Sequence, residues 1–388
     1  MFVKPLVIIT ASLALLGAGL PGATASTGGS LEQRAPERAA SIPESEVQPY
    51  LDAMTDEGIP GVVAHVRSGE DSISLSSGAA DLAQAEAMTP GHKVRVGSYT
   101  KTFTATMLLQ LVDEGSVSLE DSVEKWLPGL VPGGENIKLR QLLNHTSGLF
   151  DYTYDQAVMA PYLNPDGTFT VSNHYSSPTE LVNAATSHAP NFTPGSDWSY
   201  SNTNYILAGL VLEAATGRTY AQELHARIIG PLNLKGTQFP EKRTSIQEPT
   251  AHGYQLYGDD SGPMDVTRMS PSFSWAAGGL TSTVEDMSRF GAALVGGELL
   301  SEARLAEMKT VVSAPEDGLA YGLGLTRIDV CGVTLWGHGG DVPGYHSNSF
   351  VSGDGKIQIS MVATAGLDTW NAEQGANWSS AMHAAICP

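Results

Sequence analysis

The chain has 388 residues, 41% of them hydrophobic and 16% charged, a globular composition with enough apolar material for a large core. Its formal net charge is −20, which argues against nucleic acid and anionic membrane surfaces as partners. The N-terminus opens with Lys4, an apolar run from Leu6 to Ala18, Pro21, and the small-residue site Ala23-Thr24-Ala25. This pattern predicts a secretory leader over residues 1–25, too short and too Gly/Pro-broken for a stable membrane anchor. Residues 26–44 are rich in Ser, Gly, Glu, Arg and Pro and read as a disordered lead-in to a single domain over 45–388.

Helical spacing of Val47, Leu51 and Met54 predicts a first helix, with Ser45 and Gln48 as a capping box and Gly58 and Pro60 as the stop. Gly61 to Arg67 and Ser72 to Leu75 read as two strands joined by a Gly-Glu-Asp turn. A helix is expected over Thr102–Glu114, closed by Gly115. From about 110 to 315 the pattern is helices and long loops. Strands return at Gly322–Asp329, Val333–Gly337, His346–Ser352 and Ile357–Thr364, and a last helix is expected over Asn371–Ile386. Neither set of strands makes a stable sheet alone. The expected fold is therefore α+β: one antiparallel sheet covered by the N- and C-terminal helices, interrupted by a large, mainly helical insertion. A cleft between sheet and insertion is the natural place for a site.

Chemistry is concentrated in three short segments. Ser98-Tyr99-Thr100-Lys101 puts a hydroxyl and an amine three residues apart at the start of a helix, on one face. A serine needs a base to become nucleophilic, and a lysine serves if burial or nearby cations bring its pKa down from ~10.4. Alone, the tetrapeptide also fits a helix cap and a solvated lysine. Tyr200-Ser201-Asn202 follows the turn Thr193-Pro194-Gly195-Ser196. Tyr200 can shuttle a proton there, and Asn202 can hold a substrate carbonyl and the Lys101 amine; read alone, they are a packed tyrosine and a capping asparagine. His338-Gly339-Gly340-Asp341 follows a strand, and its glycines let a substrate backbone approach closely. His346 is nearby, but no His/Cys/Asp cluster has zinc spacing, so neither metal nor cofactor is expected. Two cysteines, Cys331 and Cys387, can form one disulfide in an exported chain, two buried thiols being the alternative.

The order S-x-x-K, Y-x-N, H-x-G resembles the penicillin-recognising serine hydrolases, most closely the exocellular D-alanyl-D-alanine carboxypeptidases of actinomycetes, with class C β-lactamases as cousins. Supporting segments are Leu142-Leu143-Asn144-His145-Thr146-Ser147-Gly148-Leu149 and Tyr321-Gly322-Leu323-Gly324, and the resemblance spans residues 45–388. It implies Ser98 as the acylated nucleophile, Lys101 and Tyr200 as exchangers of its proton, and Asn202 as an acyl-chain contact. It also implies His338 in the place of a family lysine, and an oxyanion between the N–H groups of Ser98 and Asp341. A family cysteine pair in matching positions supports Cys331–Cys387.

One departure bears on substrate. The carboxypeptidases read H-T-G-T, and an upstream arginine helps the threonines grip a C-terminal carboxylate. Here Gly339 and Asp341 replace the threonines and Thr326 falls at the arginine position, with Arg327 next to it. An ionised Asp341 facing a carboxylate would repel it by ~4 kcal/mol at 4 Å and an effective dielectric near 20. The leading expectation is a secreted D-alanyl-D-alanine carboxypeptidase-type hydrolase of small peptide, ester or β-lactam substrates. The alternatives are a D-peptidase or D-amino-acid amidase, an esterase, a class C-like β-lactamase, or a penicillin-binding sensor that acylates without turnover. Among aromatic residues in the loops 150–195 and 240–275, Trp275 is the one chosen as a cleft contact.

Overall fold

The computed structural model describes residues 44–164, 168–257, 262–314 and 319–387. The expected leader and most of the lead-in lie outside them. The expected α+β architecture is present. Helix α1 (Glu44–Asp56) precedes β1 (Gly61–Ser68), β2 (Asp71–Asp81) and the short β3 (Glu86–Ala87). The helical insertion follows, with α2 (Thr100–Asp113), α3 (Asn202–Thr216) and α4 (Val284–Val295) as its longest members. The chain then returns through β4 (Val312–Ala314), β5 (Leu319–Tyr321), β6 (Thr326–Val330), β7 (Val333–Val342), β8 (Tyr345–Ser352) and β9 (Ile357–Ala363), and ends in α5 (Ala372–Ile386).

These nine strands form one antiparallel sheet in the order β3-β2-β1-β9-β8-β7-β6-β5-β4. The first and last parts of the chain meet at β1–β9, where Val62 pairs with Ala363 and Ser68 with Ile357. β1 is central and nearly all buried, which explains its continuous apolar run. Its side chains alternate between two cores. Val62, Ala64 and Val66 join Leu51, Met54, Phe350, Trp378 and Ile386 under α1 and α5, and Val63 joins the larger core under the insertion. An Asn371–Gln374 capping box starts α5.

Three local readings need correction. Ser45 lies inside α1, so it caps nothing. The strand expected over 322–329 starts only at Thr326, and Leu319–Tyr321 is a separate strand before it. Gly322–Leu325 forms a turn whose Gly324 sits at φ +77° and packs so closely on α2 that a Cβ there would lie 2.6 Å from the Ala105 methyl. β7 runs on to Val342, so His338-Gly339-Gly340-Asp341 is strand rather than a following loop. Its pairing with β6 stops at Gly337, while pairing with β8 continues to Val342. One edge of residues 338–342 is therefore open, and it faces the insertion.

Candidate active site

The nucleophile turn is built by packing against that open edge. Gly97–Tyr99 is a short 3-10 turn leading into α2, with Gly97 at φ +50°. A Cβ on Gly97 would lie 2.8 Å from the Asp341 nitrogen, and one on Gly340 would lie 2.1 Å from the Val96 oxygen and 2.8 Å from the Ser98 nitrogen. Only glycines permit this approach. The Ser347 hydroxyl donates to the Val96 carbonyl at 2.9 Å and ties β8 to the same turn. Pro343-Gly344 closes the β7–β8 hairpin at the pair Val342–Tyr345. In a two-residue hairpin the closing pair is hydrogen-bonded and the next is not, so the Asp341 N–H points to the open edge, toward the turn that carries Ser98.

Lys101 lies in the first turn of α2, fully buried. Its Nζ donates to Ser98 Oγ (2.9 Å), Asn202 Oδ1 (2.8 Å) and the Ala277 carbonyl (2.8 Å). Burial brings its pKa down to about 7, against an upward pull from Asp151. Asn202 opens α3, and both its backbone N–H and its Nδ2 donate to Asp151 Oδ2, at 3.0 and 2.8 Å. One Nδ2 hydrogen remains for a substrate carbonyl. Asp151 is itself buried, and its other oxygen accepts from the N–H and hydroxyl of Thr153.

Tyr200 stands beside this pair, with Lys101 Nζ 4.9 Å from its ring centroid. Its buried hydroxyl faces Ser98 without a well-formed hydrogen bond. Burial holds its pKa well above the usual phenol range, with Tyr321, Asp151 and Asp341 adding to the rise and Ser98 opposing it. At neutral pH Tyr200 is a phenol, and Lys101 is the group that titrates in range. His338 is fully buried and its pKa is lowered to about 3, first by burial and then by Lys101, so it is neutral. Its Nδ1 must donate to the Gly339 carbonyl, leaving Nε2 to accept the Tyr321 hydroxyl at 2.8 Å.

Not every predicted residue joins this cluster. Asp341 contributes its backbone to the open edge, but its side chain follows the strand alternation to the α5 face, where Oδ1 lies 2.7 Å from His346 Nδ1. Gly339 is on that same face, and a Cβ there would lie 2.7 Å from Asn348 Oδ1. Thr326 pairs with Gly337 and is completely buried on that face as well. Arg327 is on the opposite face and pairs with Asp329 at 3.0 Å. Trp275 is the clear correction. Its ring packs on Tyr220, 5.4 Å between centroids, and over the bare backbone of Gly209 in α3. It lines a separate cavity of about 200 Å³ with Tyr175, Phe239 and Lys242. The space left by Gly209 draws the indole inward, a long-range fit that the sequence does not reveal. Cys331 and Cys387 are bonded.

Residues that sequence reasoning did not single out complete the site. Asp151 anchors Asn202, the Ala277 carbonyl holds Lys101, and the tyrosine of the Tyr321-Gly322-Leu323-Gly324 segment holds His338. The nearest signal for Asp151 was its position three residues after Gly148 of the His-Thr-Ser-Gly segment.

A nucleophile turn, a buried lysine and a tyrosine at a helix entrance, set against an open sheet edge, define a serine acyl-transfer site. The beta-lactamase family matches over residues 46–379, and the chain belongs to it. Among its relatives is penicillin-binding protein 4 of Amycolatopsis lactamdurans, 27% identical over 83% of this chain and 85% of that protein. A D-aminopeptidase of Brucella anthropi is 31% identical over 77% of this chain, which spans 55% of that relative. A D-stereospecific amidohydrolase from Streptomyces sp. superposes with a TM-score of 0.79 at 38% identity, covering 88% of this chain and 98% of that one. The D-amino acid amidase from Ochrobactrum anthropi SV3, in complex with L-phenylalanine amide, gives 0.78 at 28%, covering 88% and 97%.

Proposed function

We propose that the chain is a D-stereoselective serine amidohydrolase, acting on D-amino-acid amides and short D-peptides through an ester on Ser98. The carrying observation is that the groups that grip a carboxylate in the carboxypeptidases are not in place at the open end of β7. His338 is held neutral, Arg327 is paired with Asp329 on a strand beside it, and the carboxylate-gripping threonines are replaced by Gly339 and Asp341. A substrate ending in a carboxylate would lack that grip; an amide needs none. The likeness to the Streptomyces amidohydrolase and the Brucella D-aminopeptidase supports the same reading over the D,D-carboxypeptidase.

The reaction follows from the geometry. Neutral Lys101 takes the Ser98 proton as Oγ attacks the carbonyl carbon. The oxyanion is met by the Ser98 and Asp341 N–H groups. The Tyr200 phenol gives its proton to the departing nitrogen as the C–N bond breaks, and is reprotonated from Lys101. Water then attacks the ester, its proton passing back through Lys101, and Ser98 is regenerated with release of the acid. We infer that the protein acts outside the cell; the leader pattern of residues 1–25 and the bonded cysteine pair support this reading.

The test is turnover of D- and L-phenylalanine amide, a D-Ala-D-Ala peptide and a fluorescent penicillin by the wild type and Ser98→Ala. Ammonia release selective for the D-amide and lost in Ser98→Ala is expected. Faster cleavage of the D-Ala-D-Ala peptide, or a stoichiometric penicillin adduct without amide turnover, would replace this reading with the carboxypeptidase or the sensor.

A further inference from the structure

The Tyr200 hydroxyl has no well-formed hydrogen bond to hold its aim, so its position must come from what supports its ring and backbone. One residue does both. His145 is fully buried, and its carbonyl accepts the Ser199 N–H at 3.1 Å. Its Nδ1 accepts the Ser201 N–H at 3.2 Å and an Asn204 Nδ2 hydrogen at 3.1 Å. The residues on both sides of Tyr200 are thus pinned to the same histidine. Its ring lies 4.3 Å from the Tyr200 ring, centroid to centroid, tilted by 32°. Ser147, two residues on, donates to Asn204 Oδ1 at 2.5 Å and closes the bracket between the two segments.

The bracket is held under backbone strain. His145 sits at φ +62°, a conformation that non-glycine residues seldom adopt. Because Nδ1 accepts backbone and amide hydrogens, the ring proton is on Nε2, and that atom is buried without a partner. A surrounding that over-determines a strained, incompletely satisfied residue beside reacting groups points to a role beyond packing.

We propose that His145 is the positioning residue for proton delivery: it brackets the backbone on either side of Tyr200 and supports the phenol that protonates the leaving group. The inference rests on Tyr200 as the proton carrier, not on D-selectivity. It assigns the Leu-Asn-His-Thr-Ser-Gly segment a mechanical task in catalysis.

The experiment compares two leaving groups on one acyl group that the enzyme accepts. A nitrophenolate departs without a proton, whereas an amine or alkoxide needs one. His145→Phe keeps a ring but removes the Nδ1 acceptor. His145→Asn keeps an acceptor at that place and tolerates positive φ. For His145→Phe, kcat on the amide or alkyl ester should fall by roughly 10- to 100-fold, part of the ~10²- to 10⁴-fold that general acid catalysis supplies, with KM little changed and the nitrophenyl ester much less affected. His145→Asn should recover most of the loss. If His145→Phe fails to fold, His145→Gln, whose carbonyl sits at the Nε2 place, takes its part against His145→Asn. Equal losses on both leaving groups, or no advantage of Asn, would overturn the proposal. Tyr200→Phe on the same pair is the reference. If it does not discriminate the leaving groups, the role of Tyr200 falls and the bracket with it. If it does and the His145 variants do not, only the bracket falls. Absence of D-selectivity alone would sink the proposed function and leave this comparison valid.

Discussion

Asp341 and His346 stand opposite each other on β7 and β8, Oδ1 to Nδ1 at 2.7 Å, on the sheet face covered by α5. The carboxylate at the open strand is thus tied to an imidazole rather than aimed at Ser98. The pair screens Asp341 but keeps a carboxylate, where the carboxypeptidases carry a threonine, beside the open strand. Replacing Asp341 by Thr should raise kcat/KM for a peptide ending in D-Ala-D-Ala relative to the corresponding amide by about tenfold. That is a fraction of the ~4 kcal/mol that two like charges exchange at 4 Å and an effective dielectric near 20, as distance and pairing require. An unchanged ratio would show that Asp341 does not set selectivity.

The base assignment predicts a pH profile. Lys101 is lowered to about 7, so the reactive free amine is lost as pH falls through that value. Below pH 7, kcat/KM should drop about tenfold per unit, and above it should level. Asp151 pulls the Lys101 pKa upward because its charge favours the ammonium. Asp151→Asn keeps an acceptor for Asn202 but removes that pull, so the acid limb should move to lower pH. A limb that stays put would mean that another group titrates.

The glycines at the turn give a steric prediction. Gly340→Ala sets a methyl 2.1 Å from the Val96 carbonyl and 2.8 Å from the Ser98 nitrogen. Overpacking of this kind costs about 1–3 kcal/mol of stability. A displacement of Ser98 by an ångström should lower kcat by roughly 10²-fold. Thermal melts and acylation rates of Gly340→Ala would check both. A variant of wild-type rate would show that the turn yields without moving the nucleophile.

Legibility in the sequence followed the range of the interaction. Ser98 and Lys101 are three residues apart on one helix start, so their contact is local and readable. The sheet was legible because the chain offers two separate sets of short strands, neither of which is stable unless it pairs with the other. What stayed hidden depended on distant partners. The Asp151–Asn202 bond joins residues separated by fifty others, with no spacing rule behind it. The inward turn of Trp275 depends on Gly209 in another helix. The face on which Asp341 lies needed the strand register, since one residue of slip reverses every side chain.

Register also separates stability from catalysis at the far end of the fold. Cys331 begins the β6–β7 turn, and Cys387 follows α5, 56 residues later. Their bond ties the covering helix to strands whose other end carries His338 and Gly340. Closing a loop of that length constrains the unfolded chain by up to about 4 kcal/mol, though measured effects are often smaller. Cys387→Ser should therefore lower the unfolding free energy by roughly 2–4 kcal/mol and the melting temperature with it. The acylation rate at 25 °C should be unchanged, because α5 contacts the α1-side core and none of the hydrogen bonds of Lys101. Chemical denaturation, read beside the acylation rate, is the measurement. A fall in rate at temperatures where the variant is fully folded would mean that the bond also holds β7 in place against the nucleophile turn.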